Sequence, residues 1–259
     1  VTSRETFDEV AEDYDRLRPR YPSALVTALV RRARLGPSSR VLEVGPGTGQ
    51  LSVPLARLGG TLVAVELGAA LARVARRNLA PHPGARVEVA AFENWPLPSE
   101  PFDAVVSATA FHWINPAVRL VKAADALAPG GTLALVTTHH VAGGTEPFFE
   151  RVQRCYERWM PGTPAGLRLT DEREAATDTG ELERSGRFRD VEVTAYAQEI
   201  AYSTREYLDL LLTYSNHRAL PSGARRGLLE CVGGLIEREF GGRVTKRYLH
   251  ELITARRSA

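Results

Sequence analysis

The chain has 259 residues, 33 basic and 31 acidic side chains and a net charge of +2, which suits one large domain or a domain carrying an inserted lobe. No run approaches the ~18 apolar residues of a spanning helix. The opening VTSRETFDEVAEDYDRL is acidic and amphipathic where a leader would be basic and then apolar, so a soluble, cytoplasmic protein is expected.

Two widely separated cysteines, Cys155 and Cys231, with no CxxC or Cys/His cluster, argue against a disulfide framework, a structural zinc and an iron–sulfur cluster. They read as ordinary interior residues, and no metal is expected. Lysine occurs only at Lys122 and Lys246, while arginine is spread along the chain. Doublets such as Arg31–Arg32 and Arg76–Arg77 suit solvated helix faces better than a nucleic-acid track.

In chain order, Thr2 and Glu5 have capping-box spacing, and Phe7, Val10, Tyr14 and Leu17 recur on one helical face. A second helix, 23–33, follows Pro22. From about 39 to 140, short β-branched runs (RVLEV, TLVAVE, RVEVA, FDAVVSA, GTLALVTT) alternate with helix-like stretches, which predicts an α/β fold with a doubly wound parallel sheet. Ligands of such sheets bind beyond the carboxyl ends of the strands, so the residues just after each run matter most.

After residue 141 the chain turns to mixed helix and loop, read as an inserted cap over 141–187. The run FRDVEVTAYAQEIAY follows, then a second helical segment within 203–241, then RVTKRYLHELITA. The two strand-like runs could pair as an antiparallel hairpin that completes the sheet. The division expected is lid helices over 1–36, a cofactor-binding core over 37–140 and two cap segments over an acceptor site.

The glycine-rich turn VLEVGPGTGQL decides the nucleotide. A P-loop requires GxxxxGK[ST], and here Gly49 is followed by Gln50 with no lysine nearby. The dinucleotide fingerprint GxGxxG meets Gln50 where its third glycine belongs, which counts against NAD. Glu43 stands two residues before Gly45, where it would repel a pyrophosphate and suit an ammonium.

The series Glu43, Gly45, Gly47, Gly49 resembles the first motif of the class I S-adenosylmethionine-dependent methyltransferases, and the ordered motifs that follow extend the resemblance over about residues 5 to 140. It implies a Rossmann-like sheet, S-adenosylmethionine as cofactor and S-adenosylhomocysteine as product. Pro46, Thr48 and Gln50 belong to the same turn. Glu66, followed by Leu67, ends the second strand and could accept both ribose hydroxyls, a role useful to NAD or S-adenosylmethionine alike. After the third strand the family commonly places a polar group on the adenine amino nitrogen. Ala91 falls there, leaving Phe92 for ring contact and Glu93 or a backbone group for the hydrogen bond.

The segment from Thr109 and Ala110 through Phe111, His112 and Trp113 looks like the post-strand segment of the family's small-molecule branch, and the Ala-Pro-Gly-Gly at 128–131 resembles its helix-ending turn. His112, at the strand-four rim, is the candidate general base or a pocket wall. Tyr14, Arg18 and Tyr21 resemble a lid segment; Tyr14 or Arg18 could bind the methionine carboxylate, and Tyr21 and Trp113 could meet the acceptor. His139 and His140 end strand five, and one of them could line the acceptor pocket. His82, His217 and His250 read as surface or structural.

The function expected is methyl transfer to O, N or C of a small metabolite by a monomer or homodimer. The aromatics Phe148, Phe149, Tyr156, Trp159, Tyr202, Tyr207 and Tyr214 suit either an apolar acceptor or the lobe's own core. Nucleic-acid methylation lacks its [DNS]PP[YF] or Pro-Cys signature after strand four. An NAD-dependent oxidoreductase and a non-catalytic cofactor-binding module complete the alternatives.

Overall fold

A computed structural model describes residues 11–175 and 177–258. Thr2, Glu5, Phe7 and Val10 lie outside the described residues. The chain opens with α1 (Ala11–Leu17) and α2 (Ser23–Arg32), then alternates β1 (Arg40–Val44), α3 (Ser52–Ala56), β2 (Thr61–Glu66), α4 (Ala69–Leu79) and β3 (Ala85–Val89). β4 (Phe102–Ala108), a 3-10 turn (Phe111–Trp113), α5 (Pro116–Ala126) and β5 (Leu127–Val141) follow. α6 (Glu146–Arg151), α7 (Gln153–Trp159) and α8 (Gly180–Arg184) precede β6 (Phe188–Ser203). Finally α9 (Thr204–Leu211), α10 (Ser215–Arg218) and α11 (Ser222–Phe240) lead into β7 (Arg243–Arg257).

The seven strands lie in the order β3-β2-β1-β4-β5-β7-β6, parallel except for β7, which runs antiparallel to both β5 and β6. The expected Rossmann-like sheet with a C-terminal antiparallel hairpin is what forms.

The strands read as continuous apolar runs because both faces are covered. Alternation sends Val41, Leu62, Ala104 and Val106 against α2, α3 and α4, while Leu42, Val63, Val105 and Leu133 meet α5 and the Phe92–Trp95 turn. Fully burying one such leucine or valine contributes roughly 1.5–3 kcal/mol.

A third cluster holds the helical segments together. Phe148, Val152, Leu210, Leu228, Val232 and Ile236 pack with Tyr202, Tyr207 and Tyr248 over the β6–β7 end of the sheet. α9 begins at a capping box, in which Ser203 and Glu206 exchange hydrogen bonds between side chain and backbone.

Two expectations fail. Cys155 on α7 and Cys231 on α11 are joined in a disulfide, because these helices lie side by side despite a sequence separation of 76. The glycines at 130–131 do not cap α5, which runs straight into β5 through an extended Leu127; they sit further on, where the β4–β5 register shifts.

Candidate active site

The carboxyl ends of β1, β2 and β4 open onto a cavity of about 810 Å³ that continues beneath the helical lobe. At its sheet end, Gly45 and Gly47 turn with φ +70° and +60°, left-handed values that favour glycine. A Cβ on Gly45 would stand 2.4 Å from the Ala110 Cβ, so the turns after β1 and β4 meet at glycine distance. Gly47 lies under Tyr14 of α1, whose ring atom is 3.4 Å from an ideal Cβ at that position.

Glu66 is clamped by backbone: Gly47 N–H donates to its Oε2 and Gly68 N–H to its Oε1, each at 2.9 Å. The carboxylate lines the cavity with Leu67, Leu71 and Ala90. A carboxylate oxygen can accept more than one hydrogen bond. Ala90 and Phe92 line the cavity where Ala91 was expected; the Ala91 carbonyl accepts from Asn94 and Trp95 in a tight turn. Glu93 turns away to accept from the Asn115 N–H at 3.2 Å.

Glu43 is 1% exposed and accepts from Ser52 Oγ at 2.5 Å. Burial pushes its carboxyl up to about 7, against the Ser52 hydrogen bond and with a smaller contribution from Glu66. It faces a side void of about 70 Å³ behind the glycine turn, shared with Pro46, Gln50, Arg18 and Tyr21. Thr48, fully buried, accepts from Gln50 Nε2 at 2.7 Å and serves the turn itself. Thr48 and Gly49 line neither space, so they shape the turn from behind.

Arg18 lies between two rings, 4.8 Å from the Tyr14 centroid and 4.6 Å from that of Tyr214, and donates to the Thr213 carbonyl at 2.9 Å. Its buried Nε has no partner, an orphaned donor beside the glycine turn. Tyr21, expected at the acceptor, instead approaches Thr109 Oγ1 at 3.4 Å in the side void. Thr109 itself has φ +54°, an uncommon conformation for a branched residue, and lines the cavity beside Ala110.

His112 and Trp113 line the cavity from the 3-10 turn, their rings 5.0 Å apart. Burial lowers the His112 pKa, and Arg119 lowers it further.

The two histidines of β5 separate by strand alternation. Thr138 and His140 face the cavity, whereas His139 points to the opposite face, where it meets Glu251 Oε2 at 2.9 Å beside Thr177. His140 packs edge-on against Phe149 at 4.7 Å, and burial, with help from Lys246, lowers its pKa to about 3.

Two residues of the lobe end escaped the sequence reading. His217, expected to be surface or structural, is buried in the cavity wall, its Nε2 3.1 Å from the Tyr156 hydroxyl and its Nδ1 2.8 Å from Asn216 Oδ1. Lys246, on β7, projects into the same space. A strand alternation count over RVTKRYLHEL would have put Lys246 and Tyr248 on one face, though not on this cavity.

A family model described as a methyltransferase domain matches residues 41–131. A malonyl-[acyl-carrier protein] O-methyltransferase of Geobacter sulfurreducens is 33% identical over 202 residues, covering 73% of this chain and 71% of the relative. This chain belongs to the S-adenosylmethionine-dependent methyltransferases. An uncharacterized methyltransferase of Mycobacterium tuberculosis is 35% identical over 131 residues, and the chain spans only 51% of that relative's length, with 51% of its own matched. The solved structure of Haemonchus contortus phosphoethanolamine N-methyltransferase 2, bound to phosphomonomethylethanolamine and S-adenosylhomocysteine, shares the fold with a TM-score of 0.55 at 17% identity, covering 100% of this chain and 61% of that one.

The methyltransferase's residues fit the family's cofactor. A carboxylate clamped by two backbone amides, an orphaned arginine donor beside the glycine turn and apolar lining from Leu71, Phe92 and Ile114 match in chemistry a ligand that carries hydroxyls, a carboxylate and an aromatic base. Among the described residues no cluster suited to a metal occurs, and no helix is long and apolar enough to cross a membrane.

Proposed function

We propose that the protein transfers a methyl group from S-adenosylmethionine to a small-molecule acceptor held under the helical lobe. The observation that carries this reading is the continuity of one cavity from the glycine turn to the lobe wall of Tyr156, Met160, Leu167, Leu169 and Tyr207. Its volume of about 810 Å³ lies toward the upper end of the roughly 300–1,000 Å³ of small-ligand sites, which suits two ligands side by side. The Geobacter relative is named as an O-methyltransferase whose methyl acceptor is a malonyl group on an acyl-carrier protein.

When bound, S-adenosylmethionine supplies an electrophilic methyl group on its sulfonium. The chain's own contribution is positioning. Glu66 accepts the ribose hydroxyls, Phe92 and Leu71 flank the adenine, Arg18 pairs with the methionine carboxylate, and Glu43 attracts the ammonium through the side void. Tyr14 and α1 cover the glycine turn as a lid, and α7, α9, α10 and the 160–169 loop cap the acceptor. His112, kept neutral by burial, can take the proton an acceptor must shed.

Incubation with methyl-labelled S-adenosylmethionine and either a cellular small-molecule fraction or transfer RNA tests the reading. Label should enter small molecules; label found only in RNA would overturn it.

A further inference from the structure

The lobe end of the cavity contains a buried cation with no anion. Lys246, one of two lysines in the chain, is 4% exposed and donates from Nζ to the Tyr214 hydroxyl at 3.2 Å. The rings of Tyr248, Tyr214 and Tyr207 surround the ammonium, their centroids 5.1, 5.3 and 6.0 Å away. Among the described residues no carboxylate forms an ion pair with it, and the one acidic residue in the cavity wall, Glu66, stands at the cofactor end.

Burying an ammonium without an anion is costly, and ring contacts worth about 2 kcal/mol or more when desolvated offset part of that cost. A lysine has three N–H donors, of which Tyr214 takes one. Beside it, His140 Nε2 is buried with no hydrogen-bond partner. Its register partner across β5 and β7 is Tyr248, so the ring and the lysine share one face of the sheet.

We propose that Lys246, with Tyr214 and His140, forms a subsite for a carboxylate on the acceptor. This rests on the methyl-transfer reading and names the acceptor's class. The carboxylate takes the free ammonium donors and the Nε2–H of His140, and the aliphatic or aromatic body lies against Met160, Leu167, Leu169 and Leu211. A single negative charge is matched to the site: Tyr214 lies between two cations, Arg18 and Lys246, and Arg18 is assigned to the methionine carboxylate. A phosphate monoester would bring a second charge, for which the cavity lining among the described residues offers no lysine or arginine beyond Lys246 and Arg18.

Calorimetry on protein saturated with S-adenosylhomocysteine tests the subsite with matched pairs: benzoate and benzamide, 3-phenylpropanoate and its amide, hexanoate and hexanamide, with phenyl phosphate alongside. At least one carboxylate should bind tenfold or more tightly than its amide and than phenyl phosphate. That preference should fall at least tenfold in Lys246→Met and recover in part in Lys246→Arg, while homocysteine-product binding stays within about twofold in both variants and so reports an intact fold. Equal binding of amides, preference for the phosphate, an unaffected Lys246→Met variant, or no carboxylate binding to the loaded protein would each overturn the subsite and leave methyl transfer standing. A tyrosinate absorbance band at pH 7 that disappears in Tyr214→Phe would also overturn it, since the phenolate would then be the ammonium's own counter-ion. Failure of the wild type to bind S-adenosylhomocysteine would instead remove the methyl-transfer reading, and the subsite with it.

Discussion

Gly45 and Ala110 touch across the cofactor end of the cavity: a Cβ on Gly45 would lie 2.4 Å from the Ala110 Cβ, and the Gly45 backbone has φ +70°. Both turns are anchored by neighbouring strands, so neither can retreat without disturbing β1 or β4. Gly45→Ala should destabilise the fold by roughly 1–3 kcal/mol and weaken S-adenosylhomocysteine binding at least tenfold. Gly47→Ala meets the edge of the Tyr14 ring at 3.4 Å and Gln50 Oε1 at 3.6 Å, both side chains, and should be the milder of the two by both measures. Paired denaturation and calorimetry of the two variants check the order.

Glu66 accepts from two backbone amides at once, Gly47 and Gly68. In Glu66→Gln one of these amides faces an NH₂ group and loses its acceptor, at about 1–3 kcal/mol. Product affinity should fall by ten- to a hundredfold, and proteolytic sensitivity at the turn should rise.

Glu43 makes stability depend on pH. Its folded pKa, about 7, lies above the ordinary 4.5. Between those values the folded state holds a proton that the unfolded chain has released, so this group's contribution is greatest below pH 4.5 and is lost as pH rises through 7. Burial lowers His140 to about 3 and His217 and His250 to about 4, and their contributions run the other way. The comparison is therefore between variant and wild type at each pH. Glu43→Gln should gain on wild type by on the order of 2–3 kcal/mol between pH 5 and pH 8 in cofactor-free protein. A difference independent of pH in urea titrations would refute this.

The Cys155–Cys231 disulfide closes a long loop between α7 and α11. In the chain-entropy account a loop of this size contributes about 4 kcal/mol. Reduction, or the double Cys→Ser change, should lower the Tm by several degrees. It should also raise amide exchange in α7 and α11 more than in β1 to β4.

The parallel core was legible because its strands are short apolar runs and β1, β2 and β4 lead on to helices, as RVLEV and TLVAVE do, and the glycine turn carries its geometry in adjacent residues. What escaped depends on chain segments that meet only in the folded state. His139 and His140 were named together, yet strand alternation allows only one to face the cavity, and the sequence does not reveal which. His217 and Lys246 come from α10 and β7, and their meeting requires β7 to insert between β5 and β6. The disulfide needs the packing of α7 on α11. At Ala91 the tight turn displaced the expected contact by one residue, to Ala90 and Phe92.

The glycine turn and Glu66 are the proposed seat of an S-adenosyl ligand. Calorimetric titration of the purified protein with S-adenosylhomocysteine and, separately, with NAD tests it most directly. Saturable binding of S-adenosylhomocysteine that Glu66→Gln weakens at least tenfold, with no heat from NAD, is the predicted result. Clear heat from NAD with none from S-adenosylhomocysteine would rule out the S-adenosyl site.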